Sequence, residues 1–233
     1  MKKLVVSTGA GISAESGLST FRDAGGLWEK YPVMQVASAD GFRRDPALIH
    51  KFYNDRRKQL VNSKPNAAHY GLKELEKNFD VRIITQNVDD LHERAGSSHV
   101  LHLHGELMKV RSIKNPNHIY DIRDVTGGSL ETSTDTLDKY GDHVRPHIVF
   151  FQEPVPNFEA AAMLARDADI FVVIGTSFAV YPAAGLVSYV RKGVPIYYID
   201  PNPAPTGMLP VTVIKKTATE GVKELLEILN NDK

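Results

Sequence analysis

An α/β fold, a parallel sheet covered by helices with a smaller lobe formed by two insertions, is what this sequence predicts, on three observations. An apolar run at the start leads straight into a glycine turn, later apolar runs end in small polar clusters, and the last third alternates strand and helix. The 233 residues, 42% of them hydrophobic, suit one domain spanning 1–233 with a substantial core.

Leu4, Val5 and Val6 read as the first strand. With Met1, Lys2 and Lys3 they imitate a signal peptide, but the run breaks at Ser7 and Gly9, short of the roughly 7–15 apolar residues such a segment needs. No stretch approaches the roughly 20 apolar residues of a membrane span, so a cytoplasmic protein is expected. Gly9 and Gly11 then permit a tight turn and close backbone approach, and Ala14 falls where the third small residue of G-x-G-x-x-G/A belongs. That is the Rossmann-like turn that holds a dinucleotide pyrophosphate on backbone N–H groups at a helix start. The continuation, Ser19 to Asp23 and Ala24 to Trp28, is polar and glycine-rich, and reads as a loop able to fold over a bound nicotinamide and exclude water.

The first insertion, about 31–66, is charged and helical in pattern, with Pro46 at a helix start and Pro65 after its end. Val81 to Thr85 forms a second buried strand and runs into Gln86-Asn87-Val88-Asp89-Asp90-Leu91-His92. In Leu101 to Glu106, alternation puts His102 and His104 on one face of an extended segment, and either could be a base. The second insertion, about 107–143, is polar, with loops between short strands. A strand over 170–174 ends in Gly175-Thr176-Ser177, and a helix near 181–192, strands 195–199 and 211–214, and a helix near 219–230 complete the pattern. Open α/β sheets bind ligands beyond their strand ends, so the polar clusters are expected to converge on one ligand in a cleft against the small lobe. Lysine plus arginine equals aspartate plus glutamate at 28 each, which removes the basic field that nucleic acid or an anionic membrane would require. The expected partner is a protein or a small molecule.

GAGIS with STFRD, TQNVDDLH, LHG, the segment Val144 to Phe151, GTS and the following VYPAA stand in the order and approximate spacing of the sirtuin family, which the chain resembles over nearly its whole length. The resemblance implies an NAD-dependent protein-lysine deacylase that releases nicotinamide, O-acyl-ADP-ribose and free lysine. His104 matches the catalytic histidine, a general base on the ribose hydroxyls, and the motif prefers it to His102 and His99. Asn87 and Asp89 match the residues that orient the nicotinamide ribose and hold the carboxamide, although both residue types also serve as helix caps. Gln86 would reach ribose, and Gly9, Ala10, Gly11, Ser13, Phe21, Arg22 and Val88 complete the near side of the NAD site. Gly175, Thr176 and Ser177 would meet the adenine side, and Asp200, Pro201 and Asn202 the adenosine ribose. Asp200 replaces a common asparagine and would repel a 2′-phosphate, favouring NAD over NADP. Ala218 is a backbone contact by analogy.

Tyr53 and Arg56, three apart on a helix, look like the Tyr-x-x-Arg signature of sirtuins that remove succinyl or malonyl groups, with Ala24 leaving room beside them. A solvated charged face is the other fate of such a run. Val144 to Phe151 would be the edge strand on which an extended acyl-lysine peptide pairs, and Gln152 stands in place of the usual glycine before Glu153. The chain has no cysteine and Ser112 occupies the position of the first zinc cysteine, so no zinc is expected and the lobe is expected to hold by packing alone. His118, Asp121, Asp124 and His143 could in principle bind a metal, but their irregular spacing reads as solvated loop residues. An NAD hydrolase or ADP-ribosyl transferase would use the same cleft without a peptide groove, and a non-catalytic NAD sensor would not need His104.

Overall fold

The computed structural model describes residues 1–18, 31–176, 183–206 and 210–231. Its strands are β1 (Lys3–Thr8), β2 (Asp80–Thr85), β3 (Val100–His102), β4 (Gly105–Ser112), β5 (Ile119–Asp121), β6 (Val144–Ile148), β7 (Ile170–Ile174), β8 (Ile196–Ile199) and β9 (Val211–Ile214). Six of them form one sheet in the order β3-β2-β1-β7-β8-β9, parallel at every pairing. The chain builds outward from β1 through β2 to β3, then returns to add β7 on the other side. The β1/β7 junction is therefore the point where strand order reverses, the place where such sheets open a ligand crevice.

Alternating side chains bury both faces of this sheet. Leu4, Val6, Ile83 and Val172 pack with α5 (Ala67–Leu75) and α9 (Ala218–Asn231) through Leu72, Leu75, Val222 and Leu225. Val5, Ile84, Phe171 and Val173 pack on the opposite side with Ala161 and Ala165 of α8 (Phe158–Arg166) and with Leu186. Burial on both faces is why these strands read as unbroken apolar runs. The expected helix near 181–192 is, over its described part, a 3-10 helix from Ala183 to Tyr189. Gly185 lies inside it and the Ser188 hydroxyl donates to the Gly185 carbonyl, so side-chain bonding competes with the α-helical ladder.

β5, β4 and β6 make a small antiparallel sheet. Helix α4 (Pro46–Asn62) begins with Pro46 in its first turn and the Asp45 carboxylate accepting from the Leu48 N–H at 2.9 Å. It sets Ile49, Phe52, Tyr53 and Leu60 against Leu107, Ile148 and Phe150 to form a separate apolar core. Helices α2 (Val33–Val36) and α3 (Ala39–Arg44) precede it. Beyond the small sheet, Val110, Val144 and Ile122 of α7 (Ile122–Thr126) make a third, minor core.

The expectation that packing alone holds this lobe is corrected. The buried Ser112 hydroxyl accepts from the N–H groups of Lys114 and Asn115 and donates to Asp142, which also pairs with Lys114 at 2.6 Å. The Tyr120 hydroxyl donates to Asp138, whose carboxylate takes the N–H groups of Tyr140 and Asp142. A polar turn stands at Ser112, the position that the resemblance matches to a thiol. Among the described residues no group of three or more His, Asp or Glu is placed to hold a metal ion, and no helix is long and apolar enough to cross a membrane.

Candidate active site at the β1/β7 junction

Two turns cross at the reversal point with no room for side chains. Gly9 and Gly11 donate their N–H groups to the Ile174 and Gly175 carbonyls, both at 2.9 Å. A Cβ on Gly11 would lie 2.6 Å from the Gly175 Cα, and Gly175 itself has φ +61°. The glycines are thus required first by each other across neighbouring strands. Ala14, at the third small position of the motif, is exposed, and α1 (Gly11–Ala14) is only one turn long. The Ala10 N–H, between the two glycines, donates to no described residue.

From the end of β2 a buried polar network enters the same place. The Asn87 N–H donates to Thr85 Oγ1, Thr8 Oγ1 donates to that same oxygen, and His92 Nε2 meets Thr8 Oγ1 at 3.1 Å. The Asn87 side-chain amide donates to the Gly9 carbonyl and to Ser13 Oγ, which in turn donates to Asp89. Asn87 Oδ1 takes no bond from the described residues. The Asp89 carboxylate also accepts from the Leu91 N–H at the start of α6 (Leu91–Arg94), whose N-cap is Asp90 with no side-chain capping bond. Burial raises the Asp89 pKa against the opposing effects of the Leu91 and Ser13 bonds. Gln86 donates from its amide to Thr176 Oγ1, bridging β2 to the end of β7, while Val88 is half-buried and its carbonyl accepts the Leu107 N–H.

His104 and His102 do not share one extended segment. β3 ends at His102, and His104 lies in the bend before β4, where Gly105 adopts φ +84° and a Cβ would collide with the His147 carbonyl. His104 Nδ1 donates to the Gln86 carbonyl at 3.0 Å, which leaves Nε2 as an acceptor without a bond from any described residue. Burial lowers its pKa, so the ring stays neutral. An oriented, neutral imidazole with a free lone pair is the form in which histidine takes a proton.

Across this group, Tyr53 and Arg56 project from α4. Tyr53 is buried against Phe52 and Phe150, and burial pushes its pKa up to about 12, so the hydroxyl remains a neutral donor. The half-buried Arg56 guanidinium lies 5.9 Å from the Phe52 ring centre and donates no hydrogen bond to the described residues. Burial lowers its pKa, and the charge interactions that oppose this come from Tyr53 and Asp89. A cation removed from bulk water, with no partner among the described residues, calls for an anion.

The Sir2 family model matches residues 9–182. The chain belongs to the Sir2 family. It is 57% identical over 230 residues to an NAD-dependent protein deacylase of Bacteroides thetaiotaomicron, covering 98% of each chain. Among solved structures it resembles a Sir2 homolog–NAD complex at 38% identity and a TM-score of 0.87, covering 99% of this chain and 90% of that one. It also resembles Sir2 with a deacetylated p53 peptide and 3′-O-acetyl-ADP-ribose at 30% identity and a TM-score of 0.81, covering 97% and 92%. The parallel sheet with its smaller lobe is thus the sirtuin fold.

Not every expected sirtuin residue joins the group. Phe21, Arg22, Ala24 and Ser177 lie outside the described residues. Asp200, Pro201 and Asn202 follow β8, with Asp200 Oδ1 accepting the Asn202 N–H in a local turn. Ala218 is the first residue of α9 and is buried in the main core. The peptide-pairing reading of Val144 to Phe151 is corrected at its end: the N–H groups of Val149, Phe150 and Phe151 already donate to the His104 carbonyl, Glu153 and the Ala37 carbonyl. β6 lies at the edge of the small sheet, and on its side away from β4 the Val144 N–H donates to the Thr136 carbonyl. Gln152 has φ +76°, the left-handed conformation that glycine adopts most readily.

Sequence reasoning missed Thr8 and Thr85, which are unremarkable singly and acquire meaning only where strand ends meet. It missed Arg145 too, a buried cation that binds Glu153 through both Nη atoms and stacks 3.8 Å from the Phe150 ring centre.

Proposed function

We propose that the chain removes acidic acyl groups, succinyl or malonyl, from protein lysines using NAD, and removes acetyl groups less well. The deacylase reaction itself follows from family membership and from relatives named for it. The acidic preference is carried by one observation: beside Tyr53 on α4, the Arg56 guanidinium has no hydrogen-bond or ion-pair partner among the described residues. A dicarboxylic acyl group would supply the missing anion, and bidentate geometry would distinguish it from acetyl.

The residue set fits NAD. The Ala10 N–H in a glycine turn suits a phosphate oxygen, Asn87 Oδ1 suits a ribose hydroxyl or the carboxamide, and the half-buried Asp200 accepts from ribose. Bound there, NAD supplies a C1′ centre whose nicotinamide leaves as the acyl oxygen attacks. His104, neutral and oriented by the Gln86 carbonyl, takes the proton of a ribose hydroxyl at Nε2. Asn87, held by Thr85, Gly9 and Ser13, keeps its Oδ1 turned to the ligand. Tyr53 and Arg56 hold the far end of the acyl chain, and the extended peptide lies along the small lobe. An NAD hydrolase would need none of these acyl contacts.

Arg56→Met tests the acidic preference. Desuccinylation is expected to fall on the order of 100-fold, the worth of a charge-assisted hydrogen bond pair, with deacetylation nearly unchanged. Equal losses on both peptides would refute the acyl-pocket role.

A further inference from the structure

His102 is 8% exposed, yet its two ring nitrogens face two acceptors. Nδ1 lies 3.0 Å from the Asn87 carbonyl oxygen and Nε2 lies 2.9 Å from Glu93 Oε1. A carbonyl oxygen only accepts, and so does an ionised carboxylate. A neutral imidazole carries one N–H and would leave a lone pair against one of these oxygens, whereas an imidazolium satisfies both. We propose that His102 is a positioning residue: as an imidazolium bonded to Glu93, it clamps the Asn87 carbonyl and so fixes the amide that meets NAD. This rests on the reading of Asn87 as a ligand contact.

The surroundings agree. Burial opposes the charge on His102, but the Glu93 bond and charge, the Asn87 carbonyl and Glu106 outweigh it, so the pKa is raised. Burial likewise opposes the charge on Glu93, and its bond to His102 turns the balance, leaving the carboxyl lowered, with Lys109 on β4 helping. Asp89 and His92 are the other titratable groups within electrostatic reach. Two residues on, His104 makes the same kind of bond to the neighbouring carbonyl, of Gln86, with no carboxylate behind it, and its pKa is lowered by burial. Adjacent peptide carbonyls are thus held by one charged and one neutral histidine, the separation that acid–base sites depend on.

Deprotonation of His102 would leave the remaining proton with the carboxylate, where the charge-assisted bond is stronger, and turn the Nδ1 lone pair on the Asn87 carbonyl. NAD affinity and kcat/KM for NAD should therefore fall on the alkaline side as His102 loses its proton.

Glu93→Gln separates charge from shape, because its amide can donate to a neutral His102 Nε2 while Nδ1–H still serves Asn87. The first readout is the NMR titration of ¹⁵N-labelled protein without NAD, the His102 ring being the signal that His102→Gln removes. Its midpoint is expected above the ordinary value of about 6.5 and is expected to drop by on the order of one pH unit in Glu93→Gln. The second is the pH dependence of the NAD dissociation constant and of kcat/KM. The alkaline limb should flatten in the variant, where neutral His102 still serves the Asn87 carbonyl, while the acid limb stays. A His102 ring already neutral at pH 6.5, or an alkaline limb that stays fixed while the ring midpoint moves, would overturn the proposal. A chain that binds NAD without deacylating would instead count against the reaction reading, with the dissociation constants still deciding the role of His102.

Discussion

What a histidine does in a site depends on what its second nitrogen touches. His104 has one nitrogen fixed on the Gln86 carbonyl and the other free of described partners, which is why it, and not the doubly bonded His102 or the buried His92, is the proposed base. His104→Ala is expected to lower turnover at least about 100-fold, in the range of general-base catalysis, while NAD binding by calorimetry changes little. Retained deacylation would remove the base role. The three histidines were visible in the sequence, but their partners were not. Asn87 and Glu93 reach His102 from another part of the chain, and only folding shows which acceptors meet which ring.

At the level of the element, the bend after β6 carries the clearest local conflict. Gln152 adopts φ +76°, a conformation costing a residue with a Cβ about 1 kcal/mol, and its amide bonds to the Asp40 N–H and carboxylate offset that cost. Gln152→Ala keeps the strain and loses the bonds, whereas Gln152→Gly loses both. The glycine variant should therefore be the more stable of the two by about 1 kcal/mol in urea unfolding, the reverse of the usual order. An alanine variant equal to or above the glycine variant would show that the bend relaxes. The departure of Gln152 from the family pattern was legible in the sequence, and so was α4, from Pro46 at its start and Pro65 beyond its end. Helices α5 and α8 were not singled out, although α5 begins at a capping Asn66 whose side chain accepts from the Ala68 N–H, a signal present in the sequence. The span 181–192 misled because Gly185 and Ser188 tip a helical pattern into a tighter turn.

Over the whole molecule, burial holds several histidines neutral. His50, His69 and His147 are lowered to about 4, mainly by desolvation, and His92 is lowered well below its ordinary value for the same reason. In the unfolded chain these groups titrate near 6.5, so between that value and about 4 the unfolded state binds more protons. Their contribution to stability is complete above pH 6.5 and is lost as pH falls toward 4. Thermal melting followed by circular dichroism should show Tm dropping steeply across that window, and a flat Tm there would mean that these rings are charged or exposed in the native state. The parallel sheet and its ligand edge were legible because strand runs and glycine turns are local signals. The small lobe was legible as two insertions, but what holds it was not, because Ser112, Asp138 and Asp142 act through turns and ion pairs that have no period.

The most direct test of the account is a paired incubation of the purified protein with NAD and two peptides of one sequence, carrying succinyl-lysine or acetyl-lysine. Mass spectrometry would follow peptide and nicotinamide together, with a control lacking peptide. The account expects faster loss of succinyl than of acetyl, one nicotinamide released per acyl group removed, and almost none without peptide. Faster removal of acetyl would contradict the role given to Tyr53 and Arg56, and nicotinamide release in the control would make the chain an NAD hydrolase.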